Sequence, residues 1–266
     1  MTDLPIGIFD SGFGGLTVAR AIVDLLPNEN IVYLGDTARA PYGPRPIAEV
    51  RGFTLQCLDR LVEEGVKMLV VACNTGSAAA YSEARNRYPV PVVEVIRPAA
   101  RHAVATTRTG RVGVICTQAT AESHAYDDAL AGASVEVTTA ACPRFVELVE
   151  DGITSGPEVL SLAEQYLAPL KRVGVDTLIL GCTHYPLLSG VISYVMGDAV
   201  SLVSSADECA RATFAALTSD QILRESAAPA RRQFWTTGDP RRFEGLGRRL
   251  MGGFVEDVVQ VEVGVA

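Results

Sequence analysis

Two segments of this chain present a thiol in the same setting. Leu69-Val70-Val71-Ala72-Cys73-Asn74-Thr75 and Leu178-Ile179-Leu180-Gly181-Cys182-Thr183-His184 each run from apolar residues through a small residue to a cysteine, followed by hydrogen-bonding side chains. A thiol at the end of a strand and the start of a helix is shifted from its usual value near 8.5 toward thiolate, the form that acts as base or nucleophile. His184 can relay a proton to or from Cys182, and Asp10 can do so for Cys73. A small buried hydrophobe is the plain alternative for a single cysteine. Two cysteines at equivalent places favour chemistry.

A third segment, Asp10-Ser11-Gly12-Phe13-Gly14-Gly15, joins an apolar run to a helical pattern. Its backbone N–H groups suit an anion, and its glycines allow a ligand close to the main chain. It is neither a Walker loop nor a dinucleotide fingerprint. Alone it is equally a tight turn with Asp10 or Ser11 as helix cap. Pro41-Tyr42-Gly43 follows another apolar run, and Tyr42 with the next N–H offers donors to a carboxylate. Zinc is disfavoured, because Cys182 and His184 lack the paired ligands of ordinary zinc sites. His102 and His124 are the other histidines, and His124 falls within a predicted helix.

The elements that must position these groups alternate. Strands are predicted at 6–9, 31–34, 67–72, 92–96, 111–115, 135–138 and 177–180, and helices at 16–25, 47–64, 76–88, 121–130, 157–172 and 206–217. Short Val- and Ile-rich runs between helices indicate parallel sheets covered on both faces. Ile6 to Gly12 echoes Val112 to Gln118 at nearly the offset by which the first thiol segment precedes the second. Two similar α/β halves follow, and ligands bind beyond the carboxyl ends of such strands. Asp10, Cys73, Thr117 and Cys182 would then converge on one crevice between the halves.

Composition narrows the classes. The 266 residues carry a net charge of −8 and are 48% hydrophobic, enough for a large core and unlike a phosphate-backbone binder. No apolar run approaches membrane-spanning length, and Met1 to Pro5 lacks signal-peptide character. A cytosolic protein is expected, with its six cysteines reduced.

Taken together, Asp10 to Thr17, Pro41-Tyr42-Gly43, Cys73-Asn74-Thr75, Cys142-Pro143 with Glu150, Gly181 to Leu188 and Thr236-Thr237-Gly238-Asp239-Pro240 resemble the bacterial glutamate racemases over nearly the whole chain. The resemblance implies interconversion of L- and D-glutamate for peptidoglycan synthesis, without cofactor or metal. It implies two α/β domains, 1–97 with 208–266 and 98–207. Cys73 and Cys182 become the acid/base pair, acting on D- and L-glutamate respectively. Asp10 and His184 assist them, and Glu150 supports His184. Ser11, Pro41, Tyr42, Gly43, Asn74, Thr75, Thr117, Thr120 and Thr183 join Asp10, Cys73, Cys182 and His184 in binding substrate.

Thr183 to Pro186 and the Tyr42-Gly43 loop favour glutamate over aspartate. An inactive binding protein on the same fold would not need both thiols. A homodimer is implied; nucleic acid is not expected. The DNA gyrase binding of some members finds no basic patch or appended tail here. Gly76, Glu147, Arg45-Pro46 and Arg97 depart from the family's usual residues.

Overall fold

In the computed structural model, which describes residues 2–264, the alternation resolves into two parallel sheets. The first half runs β1 (Ile6–Asp10), α1 (Leu16–Leu25), β2 (Ile31–Gly35), α2 (Ile47–Glu63), β3 (Met68–Val71), α3 (Asn74–Arg87), β4 (Val92–Glu94) and α4 (Ile96–Thr106). The second runs β5 (Arg111–Cys116), α5 (Gln118–Glu122), α6 (Ala125–Leu130), β6 (Glu136–Ala141), α7 (Arg144–Glu150), α8 (Pro157–Val173), β7 (Thr177–Gly181), a short 3-10 turn, α9 (Ser189–Met196), β8 (Ser201–Ser204) and α10 (Ser205–Ser219). The chain then adds β9 (Arg232–Thr236), α11 (Pro240–Met251) and β10 (Val259–Gln260) to the first sheet.

The six-stranded sheet has the order β10-β9-β2-β1-β3-β4 and the four-stranded sheet β6-β5-β7-β8. The sequence echo has a structural basis. β1 pairs with β3, and β5 pairs with β7, all in parallel. Each cysteine therefore leaves the carboxyl end of a strand beside the central strand of its own sheet. These strands are buried along nearly their whole length, which is why they read as continuous apolar runs.

Helices α4 and α10 pack on each other and against β7 and β8 of the second sheet, and α10 also against β4 of the first. One apolar cluster runs through them, from Ile8 and Val70 to Val114 and Ile179. The expected crossings at 97/98 and 207/208 fall inside these two helices.

Three departures from the sequence reading have local causes. The predicted strand 92–96 stops at Glu94, because the Glu94 carboxylate accepts from the Ile96 and Arg97 N–H groups and starts α4. The predicted helix 121–130 is two helices. His124 breaks it with left-handed backbone, φ 55°, and Thr117 caps the earlier piece. Helix α1 has no side-chain cap; Asp10 instead accepts from the Gly12 N–H at 2.9 Å within the loop.

All six cysteines are free and buried. Burial pushes the Cys116 thiol up to about 12 and raises Cys209 as well, with Glu94 adding to the latter. A thiol whose folded value lies above its unfolded one stabilises the fold fully below the unfolded value, and the contribution disappears as pH rises toward the folded value. The melting temperature should therefore fall between about pH 8 and pH 10.5, across the unfolded thiol range. Cys209→Ala should lower the melting temperature at pH 7.5 but make the alkaline fall shallower. Parallel melting curves for variant and parent across that range would refute the assignment.

Candidate active site

The carboxyl ends of β1, β3, β5 and β7 face one cavity of about 800 Å3 including its mouth, within the usual range for small-molecule sites. Ser11, Pro41, Tyr42, Gly43, Asn74, Thr75, Thr117 and Thr183 line it with Cys73, Cys182, His184 and Glu150. Two expected residues stand behind this wall. Asp10 is fully buried under Gly15 and Tyr33, and Thr120 sits one hydroxyl beyond Thr117.

The first thiol belongs to the cap of α3. Cys73 Sγ accepts from the Gly76 N–H at 3.3 Å, and its S–H donates to Ser11 Oγ at 3.4 Å. A Cβ on residue 76 would meet Phe9 Cε1 and Thr54 Oγ1, each at 3.1 Å, so glycine eases a tight helix start. The expectation of a lowered thiol is overturned. Burial pushes Cys73 up to about 12, the nearby Asp10 carboxylate adds to this, and the hydrogen bonds from Ser11 and Gly76 do not compensate. Asp10 itself is raised by burial, against the opposing charge of His184.

The second thiol has a different companion. Cys182 Sγ lies 3.8 Å from His184 Nδ1, and His184 Nε2 lies 3.2 Å from Glu150 Oε1. Burial disfavours the imidazolium. The hydrogen bonds to Cys182 and Glu150 outweigh it and push His184 up to about 10. Helix α7 is regular through Glu147, so the departure there leaves Glu150 in reach. The Arg249 guanidinium of α11 donates to the Glu150 carbonyl oxygen.

Polar groups stitch the walls together. Thr75 Oγ1 lies 3.0 Å from Thr117 Oγ1, which lies 2.9 Å from Thr120 Oγ1. Thr17 Oγ1 donates to the Thr183 carbonyl at 2.9 Å, and the Ala119 N–H donates to the Gly43 carbonyl at 2.9 Å. Tyr42 lines the cavity, but its ring packs beside Phe9 and Phe53 and its hydroxyl donates to Asp36. Only the backbone of that loop is left to meet an anion, a correction to the expected phenol donor.

Gln118, Pro143, Val146 and Glu147 also line the cavity and were not foreseen. The place of Gln118 between Thr117 and Thr120 was the available signal. Arg45 pairs with Glu49, and Arg97 lies over the Tyr81 ring, so neither departure carries a role in the cavity wall. Among the described residues, no group of three His, Cys, Asp or Glu side chains is arranged to hold a metal.

The model of the Asp/Glu/hydantoin racemase family matches residues 6–213. The glutamate racemase of Mycobacterium ulcerans is 63% identical over 250 residues, covering 93% of this chain and 92% of that one. Glutamate racemase isoform RacE1 from Bacillus anthracis superposes with a TM-score of 0.95 at 39% identity, over 98% of both chains. The glutamate racemase of Francisella tularensis, solved in complex with D-glutamate, gives 0.92 at 32% identity, over 98% of both chains.

Glu150→Gln should lower the titration point of His184, because one of the two groups that hold its proton is lost. The sequence has only three histidines, so nitrogen NMR of histidine-labelled protein resolves them. A His184 titration unchanged by the substitution would overturn the coupling.

Proposed function

The chain belongs to the Asp/Glu/hydantoin racemase family, among its glutamate racemases, and on that premise we propose that it interconverts L- and D-glutamate by proton transfer between Cys73 and Cys182. One observation carries this reading: two thiols from the strand ends of separate sheets line the same cavity. Inversion needs a proton removed from one face of Cα and another delivered to the opposite face. Two bases on opposite walls do this without turning the substrate.

The two sulfurs have unlike surroundings. Cys73, pushed up to about 12, is a thiol at neutral pH. Cys182 lies beside a His184 held cationic up to about 10, a partner for a thiolate. In the L-to-D direction, Cys182 thiolate takes the Cα proton and becomes a thiol. Cys73 gives its proton to the other face and becomes a thiolate. The reverse direction exchanges the roles; before a second turnover in the same direction, Cys182 loses its proton to solvent and Cys73 takes one from solvent. The carbanion is stabilised by fixed donors at the substrate carboxylate, for which the backbone N–H groups near Ser11, Gly43, Asn74 and Thr183 are placed. The reaction uses no cofactor.

Asp10 assists Cys73 from behind the cavity wall, where it accepts from the Gly12 N–H. The proposed role of the product is to supply D-glutamate to peptidoglycan, in the cytoplasm, from a homodimer of two-domain subunits divided at 1–97 with 208–266 and 98–207. Among the described residues no helix is long and apolar enough to cross a membrane, which is consistent with that location.

Replacing either thiol with serine should reduce racemisation by orders of magnitude, because a hydroxyl is a poor base at neutral pH. In D2O, Cys182→Ser should retain more Cα exchange with D-glutamate than with L-glutamate, with configuration kept. Cys73→Ser should show the opposite preference. Racemisation near the parent rate in either variant would overturn the two-thiol mechanism, and reversed preferences would exchange the faces.

A further inference from the structure

Tyr126, on the second half, touches the segments of both thiols and is not among the residues that line the cavity. It lies in α6, and the left-handed turn at His124 separates that helix from α5. Its ring packs against Gly181, the residue before Cys182. A Cβ on residue 181 would stand 2.9 Å from Tyr126 Cε2, so the ring and the β7 backbone are in direct contact. Its hydroxyl accepts a hydrogen bond from Asn74 Nδ2, the residue after Cys73, at 2.9 Å.

That bond has a consequence at the other end of the amide. Asn74 is 2% exposed and lines the cavity, and its Oδ1 is buried with no hydrogen-bond partner among the described residues. An unpaired buried acceptor is unfavourable by itself. The arrangement becomes favourable when a donor enters the cavity, and the ammonium of an amino acid is such a donor. A primary amide rotated by half a turn would present its NH2 group to that ammonium instead, a repulsive pairing.

We propose that Tyr126 is a positioning residue: by holding Asn74 Nδ2, it fixes the amide with Oδ1 toward the substrate ammonium. The proposal rests on the glutamate racemase reading above. Tyr126→Phe keeps the ring against Gly181 and removes only the hydroxyl. The freed amide then samples both orientations, and binding of the ammonium weakens while the thiols keep their places.

The test is kinetic, with purified parent enzyme first assayed for racemisation of both enantiomers. Parent enzyme without racemisation would sink the underlying reading, independently of Tyr126. Given an active parent, Tyr126→Phe should raise KM for both enantiomers about tenfold, the scale of one lost buried hydrogen bond, with kcat changed less than about threefold. Glutarate, which has both carboxylates and no ammonium, should inhibit parent and variant with the same inhibition constant. In an Asn74→Ala background, Tyr126→Phe should have no further effect on KM, because the amide through which it acts is gone. An unchanged KM in Tyr126→Phe, equal weakening of glutarate and glutamate, or an undiminished effect in the Asn74→Ala background would each overturn the proposal.

Discussion

The main chain of the first loop presses directly against the second thiol's surroundings, and the site depends on that approach. A Cβ on Gly14 would lie 2.3 Å from Thr183 Oγ1 and 2.5 Å from His184 Nδ1. No side chain fits there, so only glycine lets the two halves close to this distance. Thr17 fixes the same approach through its bond to the Thr183 carbonyl. On the other flank, Gly43 meets Thr117 at 3.1 Å from a notional Cβ, and its carbonyl holds the start of α5. Backbone of the first half thus meets the second half on both flanks of the cavity.

Each wall is braced from behind. Asp36, fully buried, accepts from the Tyr42 hydroxyl, from Arg39 Nε at 2.6 Å and from Thr237 Oγ1 at 2.7 Å. Thr37 and Thr236 share a hydroxyl contact of 2.6 Å, and the Gly238 N–H donates to Thr37 Oγ1. The Thr236 to Pro240 run therefore braces the loop that delivers Gly43, although it lies far along the chain. The returning segment accounts for the reach of the family pattern to the C-terminal part. Arg249 does the corresponding work for the Glu150 wall.

The strands and the thiol pair were legible because their signals are local. Buried parallel strands are short apolar runs, and Cys73 and Cys182 follow such runs in like surroundings. What was not legible depends on contacts across the fold. Strands β8, β9 and β10 are short or polar at their ends, and only pairing with neighbours defines them. Helix α4 begins at the end of an apolar run that reads as strand, where Glu94 accepts from its first N–H groups. The state of Cys73 could not be read either. A helix start lowers a thiol, but full burial beside Asp10 raises it, and neither the burial nor the neighbour is encoded next to residue 73 in the chain. Tyr126 stood within a predicted helix, and its contact with Asn74 joins residues 52 apart in the chain.

The unequal settings of the two sulfurs meet a limit from outside the protein. Mirror-image amino acids have identical free energies in water, so the equilibrium between them is even. The ratio kcat/KM must then be the same for both enantiomers, whatever surrounds Cys73 and Cys182. A buried neutral thiol on one wall and a histidine-paired sulfur on the other cannot give the enzyme a preferred direction at equilibrium. Their difference can appear only in how each direction divides that shared ratio between turnover and saturation. The enantiomer that turns over faster when saturating must be the one that saturates at higher concentration, in the same proportion. Net flow toward either hand is set by the processes that consume it.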